Sequence, residues 1–322
     1  MRLAYGLGSL LSVNQILDCS TLLSKYKTDT IWIPETWGME NFAMLSMVSQ
    51  KALSPKIGSS IINIYSRSPS LVAMGAATVD IISNGRLILG LGASSLPIVK
   101  DFHGQNFEKP VSRIREYVEI IHLVLSGKKV NYVGNFFTLK DFSLLIKPKR
   151  DNIPIYLAAV NQKMVEQTWE IADGVIFYLR PKSELKNIIK KMQNRRKIDV
   201  TCQIITCVSH DSQKAIDRAK KTLSFYIAVG KIYREFLAKN GFQKETDEIY
   251  QEFKKSGLEK IHDLIPDSML EPLTICGTPD DSIKQLKKFQ ETGLDLPIIQ
   301  FNPIDDVKES FELVTSTFSE PI

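Results

Sequence analysis

Histidine and cysteine, which often bind transition metals or assist nucleophiles, are few among the 322 residues of this chain. The histidines are His103, His122, His210 and His262. None has a serine, cysteine or carboxylate at the spacing of a catalytic triad or a metal site. The four cysteines form no CxxC pair, which favours reduced and mostly buried thiols. The pattern argues against a hydrolase and predicts no metal site.

Small residues interrupt two apolar runs and indicate close approach of the backbone to another group. The run 58–69, GSSIINIYSRSP, breaks strand alternation, and such residues let a ligand ring lie against the main chain. Gly90-Leu91-Gly92 lacks the third glycine and the following helix start of a dinucleotide-binding loop. The glycines there instead predict a strand end that passes close to a neighbouring strand or a bound ring.

Hydrophobic periodicity predicts alternating strands and helices. The predicted strands are 2–7, 30–35, 56–64, 86–91, 154–159, 174–179, 200–208 and 297–302. The predicted helices are 13–25, 41–53, 69–82, 111–126, 161–172, 182–196, 211–229 and 279–292. Eight such units without a linker favour an α/β fold of the (β/α)8 TIM-barrel type over a doubly wound sheet.

The chain is longer than a typical barrel of this type, so the additional residues form insertions. We place the insertions at about 93–110, 128–148 and 230–275 of a single domain spanning 1–322 and expect them at the C-terminal face, where barrel active sites lie. The segment 128–148 has a hairpin-like pattern, and 230–275 indicates two or three polar helices. His103 falls in the first insertion and is the only histidine expected near the barrel mouth, although a surface role is the simpler interpretation.

Composition and charge exclude several classes of function. Apolar residues make up 43 % and charged residues 24 % of the chain, which is typical of a soluble globular protein. The net charge of +5 is too small and dispersed to indicate nucleic acid binding. The basic segment 182–197 has no interleaved aromatic residues and fits an outer barrel helix. No apolar stretch of about 18 residues and no leader pattern occur, so we expect a cytoplasmic protein without a membrane partner.

The segment 56–92 resembles the third and fourth strands of the bacterial-luciferase-like superfamily. The similarity is closest to the branch that uses the deazaflavin coenzyme F420, which includes methylenetetrahydromethanopterin reductase. The other matching segments are Trp32-Ile33-Pro34-Glu35, His103-Gly104, Lys109-Pro110 through Arg113-Arg115-Glu116-Tyr117, Pro154 through Ala159, Glu170 through Gly174, and Gly277-Thr278-Pro279-Asp280. The match covers about residues 1–180 strongly and the remainder weakly.

The resemblance implies a hydride-transfer oxidoreductase whose cofactor ring lies at the barrel mouth. It implies a bulged third strand, with a cis peptide at Ser60–Ile61 behind the ring, and an acidic residue, Glu35, near the ring. It places the cofactor phosphate beside the helix that begins near Asn161. The implied cofactor-binding residues are Ser60, Ile61, Asn63, Gly92, Ala158, Ala159, Asn161, Gln162 and Lys163. A homodimer or homotetramer is also implied.

Three positions depart from the family pattern. Asn161-Gln162 stand where relatives usually have Gly-Pro, and we expect Asn161 to tolerate a left-handed backbone there. Thr36 stands where many members have histidine, and Gly6 where the reductase branch has glutamate. A proton-handling group therefore has to come from Glu35 or from His103. The resemblance favours an F420-dependent oxidoreductase acting on a small molecule. The alternatives are an FMN-dependent monooxygenase or reductase and a barrel without catalytic activity.

Overall fold

The computed structural model describes residues 2–8 and 10–322. The strands are β1 (Ala4–Gly6), β2 (Thr30–Ile33), β3 (Lys56–Ser59), β4 (Ile62–Asn63), β5 (Leu87–Gly92), β6 (Val130–Val133), β7 (Thr138–Phe142), β8 (Ile155–Ala158), β9 (Gly174–Tyr178), β10 (Asp199–Val208), β11 (Thr274–Gly277) and β12 (Leu296–Phe301). The α-helices are α1 (Val13–Leu23), α2 (Asn41–Lys51), α3 (Pro69–Ile82), α4 (Pro110–Leu125), α5 (Gln162–Ile171), α6 (Lys182–Gln193), α7 (Ser212–Val229), α8 (Lys231–Leu237), α9 (Gln243–Ser256), α10 (Asp267–Leu270), α11 (Pro279–Gln290) and α12 (Val307–Phe318). Two π-helical segments, Ile98–Phe102 and Ala238–Phe242, and a 3-10 helix, Ile261–Leu264, complete the elements.

Eight parallel strands close into a barrel. Their order is β1, β2, β3, β5, β8, β9, β10 and β12, and the pairing of β12 with β1 completes the circle. The predicted (β/α)8 fold and its eight strands are therefore confirmed. Strand β11 was not among the predicted strands, because its first two residues fell in the segment 230–275, which we assigned to helices. It pairs with the last four residues of β10.

The barrel interior is packed with large apolar side chains. The buried cluster there consists of Ala4, Trp32, Ile88, Tyr156, Ile176, Leu296 and Ile298. A Cβ atom on Gly58 would lie 2.4 Å from the Trp32 ring, so this glycine makes room for the indole. A larger apolar cluster lies between the strands and the surrounding helices.

The end of the barrel where the strands begin, called here the closed end, is held by charged side chains. The Arg2 guanidinium donates to both carboxylate oxygens of Asp199 at 2.8 Å, and its Nε donates to Asp29 at 2.9 Å. The Tyr156 hydroxyl also donates to Asp199. Lys56 lies 3.5 Å from Asp29. These contacts join the starts of four strands, β1, β2, β3 and β10, and reach β8 through Tyr156.

Helix α7 does not belong to the outer ring to which we assigned 211–229. The chain leaves β10, forms α7 to α10, returns through β11, and only then adds α11, which lies on β11 and α12. We call residues 209–278 the excursion. It has a separate apolar core that includes Leu223, Leu237 and Ile249. An amphipathic helix shows the same sequence pattern whether it covers a barrel or another helix, which explains the misassignment.

The other two insertions attach differently. Segment 93–110 follows β5 and contains the first π-helical turn. Segment 128–148 forms the expected hairpin, β6 and β7, but it follows helix α4 and not a strand. Its attachment therefore does not place it at the mouth. The hairpin packs back along α4, where the Glu116 carboxylate accepts from the backbone N–H groups of Asn135 at 2.8 Å and Phe136 at 3.0 Å.

Candidate active site

A bulge in the third barrel strand faces the mouth, the end where the strands finish. Gly58 pairs with Ile88 and Ile62 pairs with Leu91, so three residues of one strand oppose two of the other. The Ser59 hydroxyl closes the gap by donating to the Gly90 carbonyl at 2.8 Å and accepting from the Gly90 N–H at 2.7 Å. A Cβ atom on Gly90 would lie 1.8 Å from the Ser59 carbonyl oxygen. The glycine is therefore required by the neighbouring strand.

The bulge brings several predicted cofactor-binding residues together. The Ser60–Ile61 peptide bond is cis, as the resemblance implies. A Cβ atom on Gly92 would lie 2.8 Å from the Ile61 side chain and 3.2 Å from the Ala158 Cβ. Ser60 Oγ and Asn63 Nδ2 are buried and have no hydrogen-bond partner within the described ranges. Buried polar atoms normally have partners, so these two atoms are free to bind a polar ligand.

Glu35 lies at the mouth within an ion pair. Its two carboxylate oxygens accept from Arg67 at 2.6 and 2.8 Å, and Oε1 also accepts from the Asn41 N–H at 3.1 Å. The side chain is only 14 % exposed. Arg67 also donates to Glu40. The Glu35 carboxylate thus accepts hydrogen bonds both from Arg67 and from the backbone of α2.

His103 lies at the end of the π-helical turn, with its side chain exposed. The same turn reaches the mouth through Phe102, whose ring meets the Trp37 ring edge-on at 6.2 Å. No hydrogen bond or ion pair involves the His103 side chain in the part of the chain that the structure describes. The catalytic roles of Glu35 and His103 stay predictions.

A cavity of about 620 Å³, called here the tail cavity, lies beside the start of helix α5. Asn161, Gln162 and Lys163, which the resemblance implies near the cofactor phosphate, line this cavity. Asn161 has an extended backbone, with φ −82° and ψ 159°, so the left-handed conformation that we expected is wrong. Its side chain instead accepts from the Met164 N–H at 3.0 Å and caps the helix. The N–H groups of Gln162 and Lys163 have no acceptor within the helix, as is usual in the first turn of an α-helix.

Ala159 and Arg180 complete the wall between β8 and β9. Ala159 is buried, and its N–H donates to the Ile176 carbonyl at 3.4 Å. Arg180 also lines the tail cavity and is 3 % exposed. Its guanidinium donates to the Val160 carbonyl at 2.6 Å and to Glu184 at 2.5 Å. Burial lowers the pKa of Arg180.

The second cavity at the mouth, of about 490 Å³, lies between the barrel and the excursion and is called here the front cavity. Gly6, Thr36, Gln203 and Gln300 line its barrel side, and α7 lines the other. A Cβ atom on Gly6 would contact Gln203 Oε1 at 3.4 Å. The carboxamides therefore border the position where the reductase branch has glutamate.

Tyr226 lines the front cavity, and Tyr178 packs against its ring. The Tyr178 and Tyr226 rings meet edge-on at 5.0 Å, and burial raises the pKa of both hydroxyls. Both phenols are therefore protonated at neutral pH and can donate hydrogen bonds. Tyr178 and Arg180 follow one strand at its mouth end, but we did not single them out. Their position after a barrel strand was the available signal.

The comparisons agree with this geometry. The family model described as luciferase-like monooxygenase matches residues 3–296. A 5,10-methylenetetrahydromethanopterin reductase of Archaeoglobus fulgidus is 29 % identical over 299 residues, covering 89 % of each chain. The structure of a coenzyme F420-dependent tetrahydromethanopterin reductase from Methanopyrus kandleri superposes with a TM-score of 0.86 and 21 % identity, covering 97 % of this chain and 96 % of that chain.

A second solved structure is that of an F420-dependent secondary alcohol dehydrogenase in complex with an F420-acetone adduct. It has a TM-score of 0.81 and 18 % identity, covering 98 % of each chain. At these identities the two structural matches show a common fold. In the part of the chain that the structure describes, no group of histidine, cysteine and acidic residues forms a metal site, and no helix is long and apolar enough to cross a membrane.

Proposed function

Because this chain belongs to the luciferase-like monooxygenase family, we propose that it is an oxidoreductase that uses coenzyme F420 to transfer a hydride to or from a small organic molecule. The observation that carries the proposal is the bulge at the mouth, with its two unpartnered buried polar atoms, Ser60 Oγ and Asn63 Nδ2. F420 is preferred over FMN because the relatives named above are described as F420-dependent enzymes or as a reductase of the same type.

The residues at the mouth fit a ring with a long anionic tail. The surface formed by Ile61, Gly92 and Ala158 carries no bulky polar group and suits a flat conjugated ring. Ser60 and Asn63 would supply hydrogen bonds to the polar edge of that ring. The tail cavity would hold the phosphate at the first N–H groups of α5, with Lys163 and Arg180 as the nearby cations.

The protein's own contribution is positioning and exclusion of water. When bound, the deazaflavin supplies hydride chemistry without activating oxygen. The Glu35–Arg67 pair holds the turn that carries Thr36 and Trp37 against the front cavity. The protonated Tyr226 hydroxyl holds a proton at the wall of the front cavity, and the excursion covers the mouth. Among possible reactions, the relatives favour a methylenetetrahydromethanopterin reductase-like activity.

Binding of the two cofactors to the apo-protein tests the proposal directly. Purified protein is titrated separately with F420 and with FMN, and the fluorescence of each cofactor is followed. We expect saturable F420 binding at least tenfold tighter than FMN binding. Tighter FMN binding would instead support the monooxygenase alternative, and oxygen consumption would be measured next. Absence of binding with both would support a barrel without catalytic activity.

Glu35→Gln tests the catalytic prediction for Glu35. If this side chain manages a proton, the variant loses at least tenfold in kcat at saturating cofactor, whereas a purely positioning role leaves kcat within about threefold. His103→Ala is the parallel test for the exposed histidine. A normal kcat in either variant removes that residue from the mechanism.

We also propose that the protein forms a homodimer through the outer face of helices α2 and α3. Met47 on α2 and Leu71, Met74 and Ile81 on α3 are between 42 and 50 % exposed. The three α3 residues recur at helical spacing, and such a patch marks an interaction surface. Met74→Glu should convert the dimer to a monomer in light scattering, while Asn187→Glu, at an exposed position of α6, adds the same charge outside the patch and should leave the dimer intact.

A further inference from the structure

One face of helix α7 lines the front cavity along its length. Arg218, Lys221, Thr222, Phe225 and Tyr226 all border the cavity. Their spacing of three or four residues places them on the same side of the helix. The two cations come first, and the two aromatic residues follow one to two turns later. The helix thus gives the cavity a positively charged end and an aromatic end.

The cations at the charged end have no counter-ion in the described part of the chain. Arg218 donates through Nε to the Pro303 carbonyl at 3.1 Å, and no carboxylate lies within 4.0 Å of Arg218 or Lys221. No aspartate or glutamate occurs among the described residues that line the cavity. Positive charge in a concave site without a partner attracts an anionic ligand.

Two other lysines on α7 form ion pairs with carboxylates. Lys214 contacts Asp305 at 2.6 Å, and Lys220 contacts Asp267 at 2.8 Å. Neither lysine lines the front cavity. The cations that line the cavity are therefore the ones left without carboxylates, while those outside it are neutralised.

The opposite end of the cavity suits an uncharged polar group on an apolar body. Gln300 Oε1 is buried and has no hydrogen-bond partner among the described residues, and Gln203 lies beside it across Gly6. Trp37 and Phe225 form an apolar edge, with ring centroids 6.4 Å apart. Arg218 and Tyr226 are eight residues apart, a distance of about 12 Å along a helix.

Helix α7 is fixed in this position by a buried contact. The Thr222 hydroxyl donates to Asn302 Oδ1 at 3.1 Å, and Asn302 Nδ2 donates to the Gln300 carbonyl at 2.8 Å. Asn302 is 1 % exposed. The charged end of α7 is thereby held at a set distance from β12, so the cavity is a built feature of the fold.

We infer that the front cavity binds a substrate with an anionic oxo-acid group, a carboxylate or a phosphate, separated by about 10 Å of apolar body from its reducible group. Arg218 and Lys221 bind the anion, and the glutamines and tyrosines receive the reacting end. The ligand's role as a substrate rests on the proposed function, whereas the anion preference of the cavity does not.

The test uses arylalkanoate probes and the cofactor-free protein. Phenylpropionate, phenylbutyrate and phenylvalerate are compared with their neutral amides by quenching of Trp37, whose indole lines the cavity. A Trp37→Phe variant identifies its share of the signal. We expect at least one carboxylate to bind about tenfold more tightly than its amide, the gain of a charge-assisted hydrogen bond. Phenyl phosphate is included to distinguish a phosphate preference.

Three variants assign the preference to the cavity. Arg218→Ala and Lys221→Ala should each reduce carboxylate binding at least fivefold and leave amide binding unchanged. Lys214→Ala removes the same charge from the same helix outside the cavity and should have no effect. If Arg218→Ala unfolds at a lower temperature, the exposed Lys221 still decides the question.

Several results would overturn the inference. Equal binding of acids and amides, or no saturable quenching by any acid at about 1 mM, would show that the cavity has no anion preference. A loss of F420 affinity above fivefold in Arg218→Ala or Lys221→Ala would assign these cations to the cofactor. Failure of F420 binding together with a clear acid preference would remove the proposed function and leave the anion site.

Discussion

The closed end and the mouth of the barrel use charge in opposite ways. At the closed end, Arg2, Asp29 and Asp199 satisfy one another, and the Tyr156 hydroxyl completes the group. At the mouth, Arg218 and Lys221 lack carboxylates, and Ser60 Oγ and Gln300 Oε1 lack partners among the described residues. In a barrel of this type the strand starts support stability and the strand ends perform chemistry. The difference identifies which polar groups are reserved for a ligand.

The largest effect should come from Gly90→Ala, which distorts the backbone of the bulge at the mouth. The new Cβ would lie 1.8 Å from the Ser59 carbonyl oxygen, so the bulge has to move. We expect a loss of about 3 kcal/mol in the free energy of unfolding, together with the loss of F420 binding. Denaturant unfolding and cofactor titration measure the two effects.

Gly8→Ala is the matched control, because a Cβ there meets only the Pro34 ring at 3.9 Å. Normal cofactor binding by Gly90→Ala would show that the bulge does not position the ring, and the comparison would lose its link to function.

Asp199→Ala should break the closed end without changing the mouth. Removal of this carboxylate leaves Arg2 with one partner fewer and the Tyr156 hydroxyl unpaired. The expected loss is about 2 kcal/mol in the free energy of unfolding, with unchanged affinity for F420. Glu320→Ala, which disrupts the exposed Lys27 pair, should leave the free energy of unfolding nearly unchanged. A large fall in F420 affinity in Asp199→Ala would refute the separation of the two ends.

Lys163→Ala sharpens the assignment of the tail cavity. The loss of one cation next to the α5 N-terminus should raise the Kd for F420 about fivefold. The value of kcat at saturating cofactor should not change, because a phosphate contact stabilises the ground state and the transition state equally. Lys190→Ala, on the outer face of α6, is the control. An unchanged Kd would place the phosphate elsewhere.

Acid should weaken the closed end of the barrel. Burial alone would raise the pKa of Asp29, but the hydrogen bonds from Arg2 and Thr30 and the positive charges of Arg2 and Lys56 together outweigh burial and lower that pKa. A group with a depressed folded-state pKa adds stability above its unfolded pKa of about 4, and this stability is lost as the pH falls through the folded value. The contribution of this group to the free energy of unfolding should therefore stay level above about pH 5 and decrease as the pH falls below about 4.

Arg2→Met is the control for the acid effect, since it removes the interaction that depresses the pKa of Asp29 and should flatten this part of the profile. Glu116 contributes in the same direction. Burial would raise its pKa, but the hairpin N–H groups of Phe136 and Asn135 lower it. An identical acid profile for Arg2→Met would exclude Asp29 as the source.

The barrel could be predicted from the sequence because each strand is buried on both faces and therefore forms an apolar run. The small residues of segment 58–69 predicted a close approach of the backbone to a ligand, and the family resemblance implied the bulge. Helix α7 was misassigned because an amphipathic pattern shows that one face of a helix is buried but does not show which element buries it. The free cations Arg218 and Lys221 were not identified for the same reason. Their distinction from Lys214 and Lys220 depends on residues about 40 to 90 positions away.

The excursion begins and ends at neighbouring residues. Val208 at the end of β10 is the strand partner of Gly277 at the end of β11, and the Ser209 N–H donates to the Gly277 carbonyl at 3.1 Å. The chain thus leaves the barrel and returns to it at two paired strand ends. Because the loop ends are already joined, lengthening or exchanging what lies between them adds little entropic cost to closing the barrel. Under the proposed function, a change in the excursion would alter the cavity that receives the substrate without altering the residues that would bind the ring.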